Sequence, residues 1–463
     1  MVTSKSKNPF EEIELSILRK VIDKAERITG ADMVSSSEVK QILQIIENFL
    51  RRSNCICYGG TAINNILPED KKFYNSEIEL PDYDFYSCNA LADAKKLADI
   101  YCKNGFTEVE AKAGMHFGTY KVFVNFLPIA DITQIDSELF KAIKENSLTV
   151  DGIKYAPPNF LRQSMYLELS RPKGDVGRWE KILKRLILLN EVYPLATPGL
   201  KCPDEIFQRG MEENKEEEKN LFYITRDCFV DQGVVFIGGY ADALYSKYMG
   251  SSKKKLLKKV PDFDILALDP SRVADILKER LKENGYNNIK IKKHKAIGEL
   301  VSKHIEIIVD GETIAFIYYP LACHSYNKIE INKKEIKVGT IDTLLSFYLA
   351  FIYANRSYHN IERLMCLSTY LFEVQEENRL SQKGLLKRFS LDCYGNQKTK
   401  EIIRLEKKNA FLKYKSNQNS SEWEKWFLNY NPCEKNKKKT KTKKKTYKKK
   451  SKKKSKKKFI FSF

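Results

Sequence analysis

Cys57-Tyr58-Gly59-Gly60-Thr61-Ala62, followed by Leu80-Pro81-Asp82-Tyr83-Asp84-Phe85, decides the reading of this chain. About 180 residues later the pattern returns as Phe236-Ile237-Gly238-Gly239-Tyr240-Ala241, then Val260-Pro261-Asp262-Phe263-Asp264-Ile265. In each copy a short apolar strand stops at a double glycine and opens a helix. Glycines there let backbone N–H groups approach an anion, and a helix N-terminus favours negative charge. Alternate strand residues face one side, so Asp82 and Asp84 point two carboxylates the same way across Tyr83. Alone, a double glycine is most often a turn and an Asp-x-Asp a surface pair. The order and the repetition lift the pattern above either.

A third acid separates the copies. Ile129-Ala130-Asp131-Ile132-Thr133 embeds one carboxylate in an apolar strand, which is costly unless it is paired or metal-bound. The aligned stretch of the second copy is Ile314-Ala315-Phe316-Ile317, with Phe316 in place of the acid. Asp310 and Glu312 could substitute, but Asp310-Gly311 between two strand candidates reads as a hairpin turn. The first copy is therefore expected to be intact and the second degenerate. Three carboxylates suit hard divalent cations. Two such ions can lower the pKa of a hydroxyl nucleophile and neutralise a triphosphate.

The Gly-Gly, acid-x-acid, lone-acid order resembles the DNA polymerase β-type nucleotidyltransferase superfamily. More narrowly, Tyr58 to Asn64, Pro81 to Phe85, Ile129 to Thr133 and Arg171-Pro172-Lys173-Gly174-Asp175-Val176-Gly177-Arg178-Trp179-Glu180-Lys181 are similar to the poly(A) polymerase catalytic subunits of poxviruses and giant DNA viruses. The resemblance covers residues 50–190 well and reaches roughly 375 through the repeat. Gly60 stands where many superfamily members have Ser, and the interval from Gly60 to Asp82 is longer than usual.

The resemblance implies a polynucleotide adenylyltransferase adding AMP from ATP to an RNA 3′-hydroxyl, as in viral mRNA polyadenylation. Asp82, Asp84 and Asp131 would be catalytic and hold two Mg²⁺ or Mn²⁺ ions, and Gly59, Gly60 and Thr61 would cradle the triphosphate. It also implies a homodimer, a partner subunit, and a cytoplasmic or virion location. A different acceptor, or a non-enzymatic RNA-binding scaffold, remains open.

The chain has 463 residues, long enough for two or three domains. The fold class expected is α+β, with tandem nucleotidyltransferase-like domains, N-terminal helices and a disordered basic tail. The boundaries read as 1–50 helical, 51–200 catalytic, 201–230 acidic linker, 231–433 degenerate domain and 434–463 tail. Residues 435–458 carry 17 lysines and no acid, so removing them from the net charge of +21 leaves +4 for the remainder. That run would bind polyanions non-specifically. Further basic candidates for backbone contacts are Lys253-Lys254-Lys255, Lys258-Lys259, Lys290 through Lys295, Arg178, Lys181, Lys184 and Arg185, and His116 is a weaker candidate for substrate contact.

The ten cysteines show no zinc spacing or dense disulfide framework, which favours a reducing intracellular compartment. Cys55 and Cys57 read as buried small hydrophobes, and Trp179, Trp423 and Trp426 as packing residues. Ser35-x-x-Glu38 reads as a capping box. No apolar run reaches the length of a membrane span.

Overall fold

The computed structural model describes residues 9–195, 202, 216–249 and 262–434. The lysine insert at 253–259, nearly half of the acidic linker (201 and 203–215) and the tail from 435 lie outside them. The described chain forms two compact units. One comprises residues up to 134, 149–155 and 406 onward, and the other 135–148 and 156–405.

The first unit opens with helices α1 (Pro9–Ser35) and α2 (Ser37–Arg52). It continues with β1 (Ile56–Tyr58), α3 (Gly59–Ile66), β2 (Tyr83–Ser87), α4 (Ala90–Lys103), β3 (Val109–Ala113), β4 (Thr119–Val124), β5 (Leu127–Gln134), β6 (Leu148–Val150) and β7 (Ile153–Tyr155). The sheet order is β3-β4-β5-β2-β1-β7-β6. Alternation divides its faces. Tyr83, Phe85, Ala130, Ile132, Tyr120 and Val122 are buried. On this side Phe85 meets Phe49 of α2, and Tyr101 of α4 donates to the Ile42 carbonyl at 2.8 Å. Asp84, Tyr86, Asp131, Thr133, Thr119 and Lys121 alternate with the buried set and are only partly covered. This half-open face carries the candidate site residues Asp84 and Asp131. The expected capping box does not form: Ser35 ends α1, where its hydroxyl donates to the Asp32 carbonyl, and the Ser36 side chain makes no capping bond to α2.

The second unit holds α5 (Ser137–Glu145), α6 (Pro158–Leu169), α7 (Trp179–Val192), α8 (Glu216–Asp231), β8 (Val235–Ile237), α9 (Gly239–Tyr245), β9 (Phe263–Leu266) and α10 (Pro270–Glu283). Then come β10 (Ile289–His294), β11 (His304–Val309), β12 (Glu312–Tyr318), β13 (His324–Ile331), β14 (Lys334–Gly339), α11 (Ile341–Tyr353), α12 (Ile361–Glu377) and β15 (Cys393–Tyr394). Its sheet runs β10-β11-β12-β9-β8-β14-β13-β15. From β10 to β14 this reproduces the first sheet from β3 to β7, strand for strand. The chain then returns to the first unit through α13 (Lys400–Tyr414), α14 (Ser421–Phe427) and β16 (Asn429–Tyr430), which pairs antiparallel with β3.

Disulfides join Cys102 to Cys433, Cys202 to Cys366 and Cys323 to Cys393, pairings at odds with the reducing compartment that the cysteine spacing favoured. Sequence separations of 331, 164 and 70 residues leave no local spacing to read. Cys55 and Cys57 stay unpaired and buried, and burial pushes the Cys55 thiol up to about 12, which fits their reading as core residues.

Candidate active site

Strand register brings the three acids of the first repeat together. β1 runs antiparallel to β2 with Tyr58 opposite Asp84, and β2 runs parallel to β5 with Asp84 opposite Asp131. Asp82 lies one residue before β2, at the exposed lip. Gly59 adopts φ +75°, and a Cβ there would stand 2.6 Å from Asp84 Oδ2. Only glycine lets the chain turn from β1 into α3 so close to that carboxylate. The Thr61 hydroxyl donates to the Asp82 carbonyl at 2.6 Å, tying the first turn of α3 to the loop that presents the acid. Gly60 lies between them in the same turn.

β4 adds a residue that the sequence reading passed over. Lys121 stands opposite Asp131 across the antiparallel β4–β5 ladder, its Nζ 2.5 Å from Asp131 Oδ2. Asp131 is therefore not sealed in apolar surroundings, as its neighbours in sequence suggest. Ala130 and Ile132 point to the core, while Asp131 points to the open face with 18% of its side chain exposed. The period-2 alternation of β4 could have identified Lys121, since it shares a face with Thr119. The same face holds Tyr58 and Tyr86, stacked at 3.9 Å, and hydrogen bonds linking Tyr58, Thr133 and Thr119.

The electrostatics suit a cation. Burial, then the charge of Asp131, raises the Asp82 carboxyl above its ordinary range, while Lys121 lowers it. Among the described residues no three acidic, His or Cys side chains already converge as a metal cluster. The donors are partly open hard carboxylates that repel one another. Such a set fits a magnesium-like ion that draws its remaining oxygens from a substrate's phosphates. Asp82, Asp84 and Asp131 would hold it.

Not every candidate joins this cluster. His116 lies in the exposed turn between β3 and β4, beyond the Thr119–Thr133 end of the ladder. Arg178, Lys181, Lys184 and Arg185 belong to the second unit. There Arg178 pairs with Glu168 and Lys184 with Glu180. Lys290, Lys292 and Lys293 lie on β10, at the edge of the second sheet, where lysines discourage further strand pairing. Trp179 donates to the Glu168 carbonyl, and Trp423 packs on Phe427 at 4.5 Å.

The second repeat preserves the register and loses the acid. Ile237 stands opposite Asp264, and Asp264 opposite Phe316, matching the positions of Tyr58, Asp84 and Asp131. Gly238 has φ +74°, with Asp264 against the place of its missing Cβ. Arg363 of α12 donates to Asp262 at 3.3 Å. Asp310 and Gly311 form the β11–β12 turn with positive φ, so neither Asp310 nor its neighbour replaces the missing carboxylate.

Two sheets of one strand order, each with a Gly-Gly turn set against an acid, define a tandem nucleotidyltransferase-like fold. Residues 44–175 match the family model of the poly(A) polymerase catalytic subunit. A candidate poly(A) polymerase catalytic subunit of Acanthamoeba polyphaga mimivirus is 29% identical over 228 residues, covering 47% of this chain and 37% of that protein. Its counterpart in African swine fever virus (isolate Pig/Kenya/KEN-50/1950) is 28% identical over 190 residues, 40% of each chain. The chain thus spans about two fifths of the length of these curated relatives. The crystal structure of the Megavirus polyadenylate synthase superposes with a TM-score of 0.74 over 92% of this chain and 86% of that one, at 20% identity. It shares the fold.

Proposed function

We propose that this chain is a polynucleotide adenylyltransferase that transfers AMP from ATP to the 3′-hydroxyl of single-stranded RNA. The observation that carries the reading is the alignment of Asp84 with Asp131 on adjacent parallel strands, beside a Gly59-Gly60 turn that admits no side chain. The match of residues 44–175 to the poly(A) polymerase family supports the choice of reaction.

Asp82 and Asp84 hold the nucleotide side of the site, and Asp131 faces the acceptor. Gly59, Gly60 and Thr61 turn backbone N–H groups toward the triphosphate at the start of α3. Lys121 neutralises Asp131 until substrate and cation arrive. When bound, two Mg²⁺ or Mn²⁺ ions would lower the pKa of the 3′-hydroxyl and offset the charge of the departing pyrophosphate. The relatives' names speak of a catalytic subunit, which supports a partner subunit in the working enzyme. A homodimer and a cytoplasmic or virion location complete the proposal.

Primer extension tests the reading. Labelled RNA is offered each NTP separately with Mg²⁺ or Mn²⁺, using the wild type and Asp131→Ala side by side. Tails from ATP alone, reduced by roughly 10²-fold or more in the variant, are expected. Extension that survives Asp131→Ala would refute the site. No extension by the wild type with any nucleotide would refute the reaction.

A further inference from the structure

The degenerate repeat has not simply been filled in. Its counterpart of the catalytic cleft is a pocket of about 430 Å³, counted out to its open mouth, between the β9–β12 strands and helices α11 and α12. Three features set its chemistry. First, Phe316, which stands where Asp131 stands in the first repeat, lines one wall, with Tyr358 stacked on it at 5.1 Å. Tyr358 is held in place by its hydroxyl, 2.8 Å from His304 Nε2. Second, Arg363 brings a fixed positive charge to Asp262 and Asp264, the two acids that persist. A guanidinium pinned by carboxylates takes the place that a cation would need. Third, Asn360 and the guanidinium Nε, which has no hydrogen-bond partner among the described residues, add polar atoms to the same lining.

Two carboxylates against one guanidinium leave the lining with net negative charge, which disfavours a phosphate group. An aromatic wall beside carboxylate and amide acceptors instead suits a flat, uncharged ring that carries amino donors. Stacking on aromatic side chains is how proteins hold unpaired bases, and an Asn amide can pair with an adenine edge.

We infer that the second repeat is a metal-independent site for a purine base, adenine in particular. The base comes either from a free nucleoside or from an unpaired residue of RNA. The acids of the old metal cradle accept the ring's amino protons, and Phe316 and Tyr358 form the stacking wall. The duplicated fold would then bind nucleotide chemistry twice, once with metal and once without.

Equilibrium dialysis of the full chain with labelled adenosine in EDTA tests this. Adenosine has no phosphate, and EDTA removes any cation that would favour the first repeat. Wild type and Asp84→Asn should bind equally, while Asp264→Asn and Tyr358→Leu should each weaken binding roughly tenfold. Tyr358 is only half-buried, on the turn before α12, so its replacement leaves the core intact. Thermal midpoints confirm that each variant is folded. AMP should bind less tightly than adenosine. Competition by an oligo(A) bearing a 3′-phosphate would identify RNA as the source of the base, and its failure a free nucleoside. The proposal is overturned if the wild type does not bind adenosine, or if Asp84→Asn abolishes binding and Asp264→Asn does not. Neither result depends on nucleotide addition, so the polymerase reading stands or falls separately.

Discussion

Lys121 couples the acids of the first repeat. Asp82 is raised first by burial and then by Asp131, and Lys121 opposes the rise. A folded carboxyl with a raised pKa holds its proton more tightly than the unfolded one. It therefore favours folding at low pH and opposes it once the pH passes the folded value. Cation binding needs the ionised form and relieves that opposition. Lys121→Met should raise Asp82 further, so the acid limb of a Mn²⁺ titration should move to higher pH than in the wild type. Calorimetry across pH checks this, and an unmoved limb would detach Lys121 from the cluster. The acids themselves were legible in sequence because motif spacing is local. Lys121 was not singled out, because its partner comes from strand register across a hairpin. Arg363 was hidden for a stronger reason, since about 100 residues separate it from Asp262.

At the level of elements, the β1–α3 turn is the least replaceable piece. Gly59→Ala meets a left-handed backbone costing about 1–2 kcal/mol and also drives its Cβ against Asp84. The expected result is a near-complete loss of nucleotide addition with a lower thermal midpoint, checked by primer extension and calorimetry together. In the second unit, Arg388 forms a double hydrogen bond with Asp342 in the first turn of α11, at 3.0 and 2.9 Å, and the Asp342 side chain is fully buried. Arg388→Ala leaves that carboxylate unpaired and should cost about 3–5 kcal/mol, read as a fall in the denaturation midpoint. β2 was legible from the alternation around Asp82-Tyr83-Asp84, which the strand Tyr83–Ser87 follows. The capping box failed because Ser35 finishes one helix instead of starting the next, which the four-residue pattern alone does not distinguish.

For the whole molecule, duplication was the most legible property, since two copies of one motif imply two copies of one sheet. The observed strand order repeats over seven positions, from β3 to β6 in the first sheet and from β10 to β13 in the second. The cysteine pairings were the least legible, because they depend on where distant segments meet. Oligomeric state belongs to this scale too. Light scattering at micromolar concentration should give twice the mass of the 463-residue chain, and a clean monomer would remove the homodimer from the proposal.

β16 has a bearing on how the protein is made. Asn429 and Tyr430 complete the outer edge of the first sheet beside β3, and Tyr430 donates to Asp99 of α4. Synthesis at about 5–20 residues per second delivers β3 tens of seconds before its neighbour. Throughout that interval the nascent chain presents a bare strand edge, the kind that invites pairing with other chains. Ribosome pausing or premature termination upstream of residue 429 should therefore yield aggregation-prone fragments, even when every acid of the first repeat has already been translated.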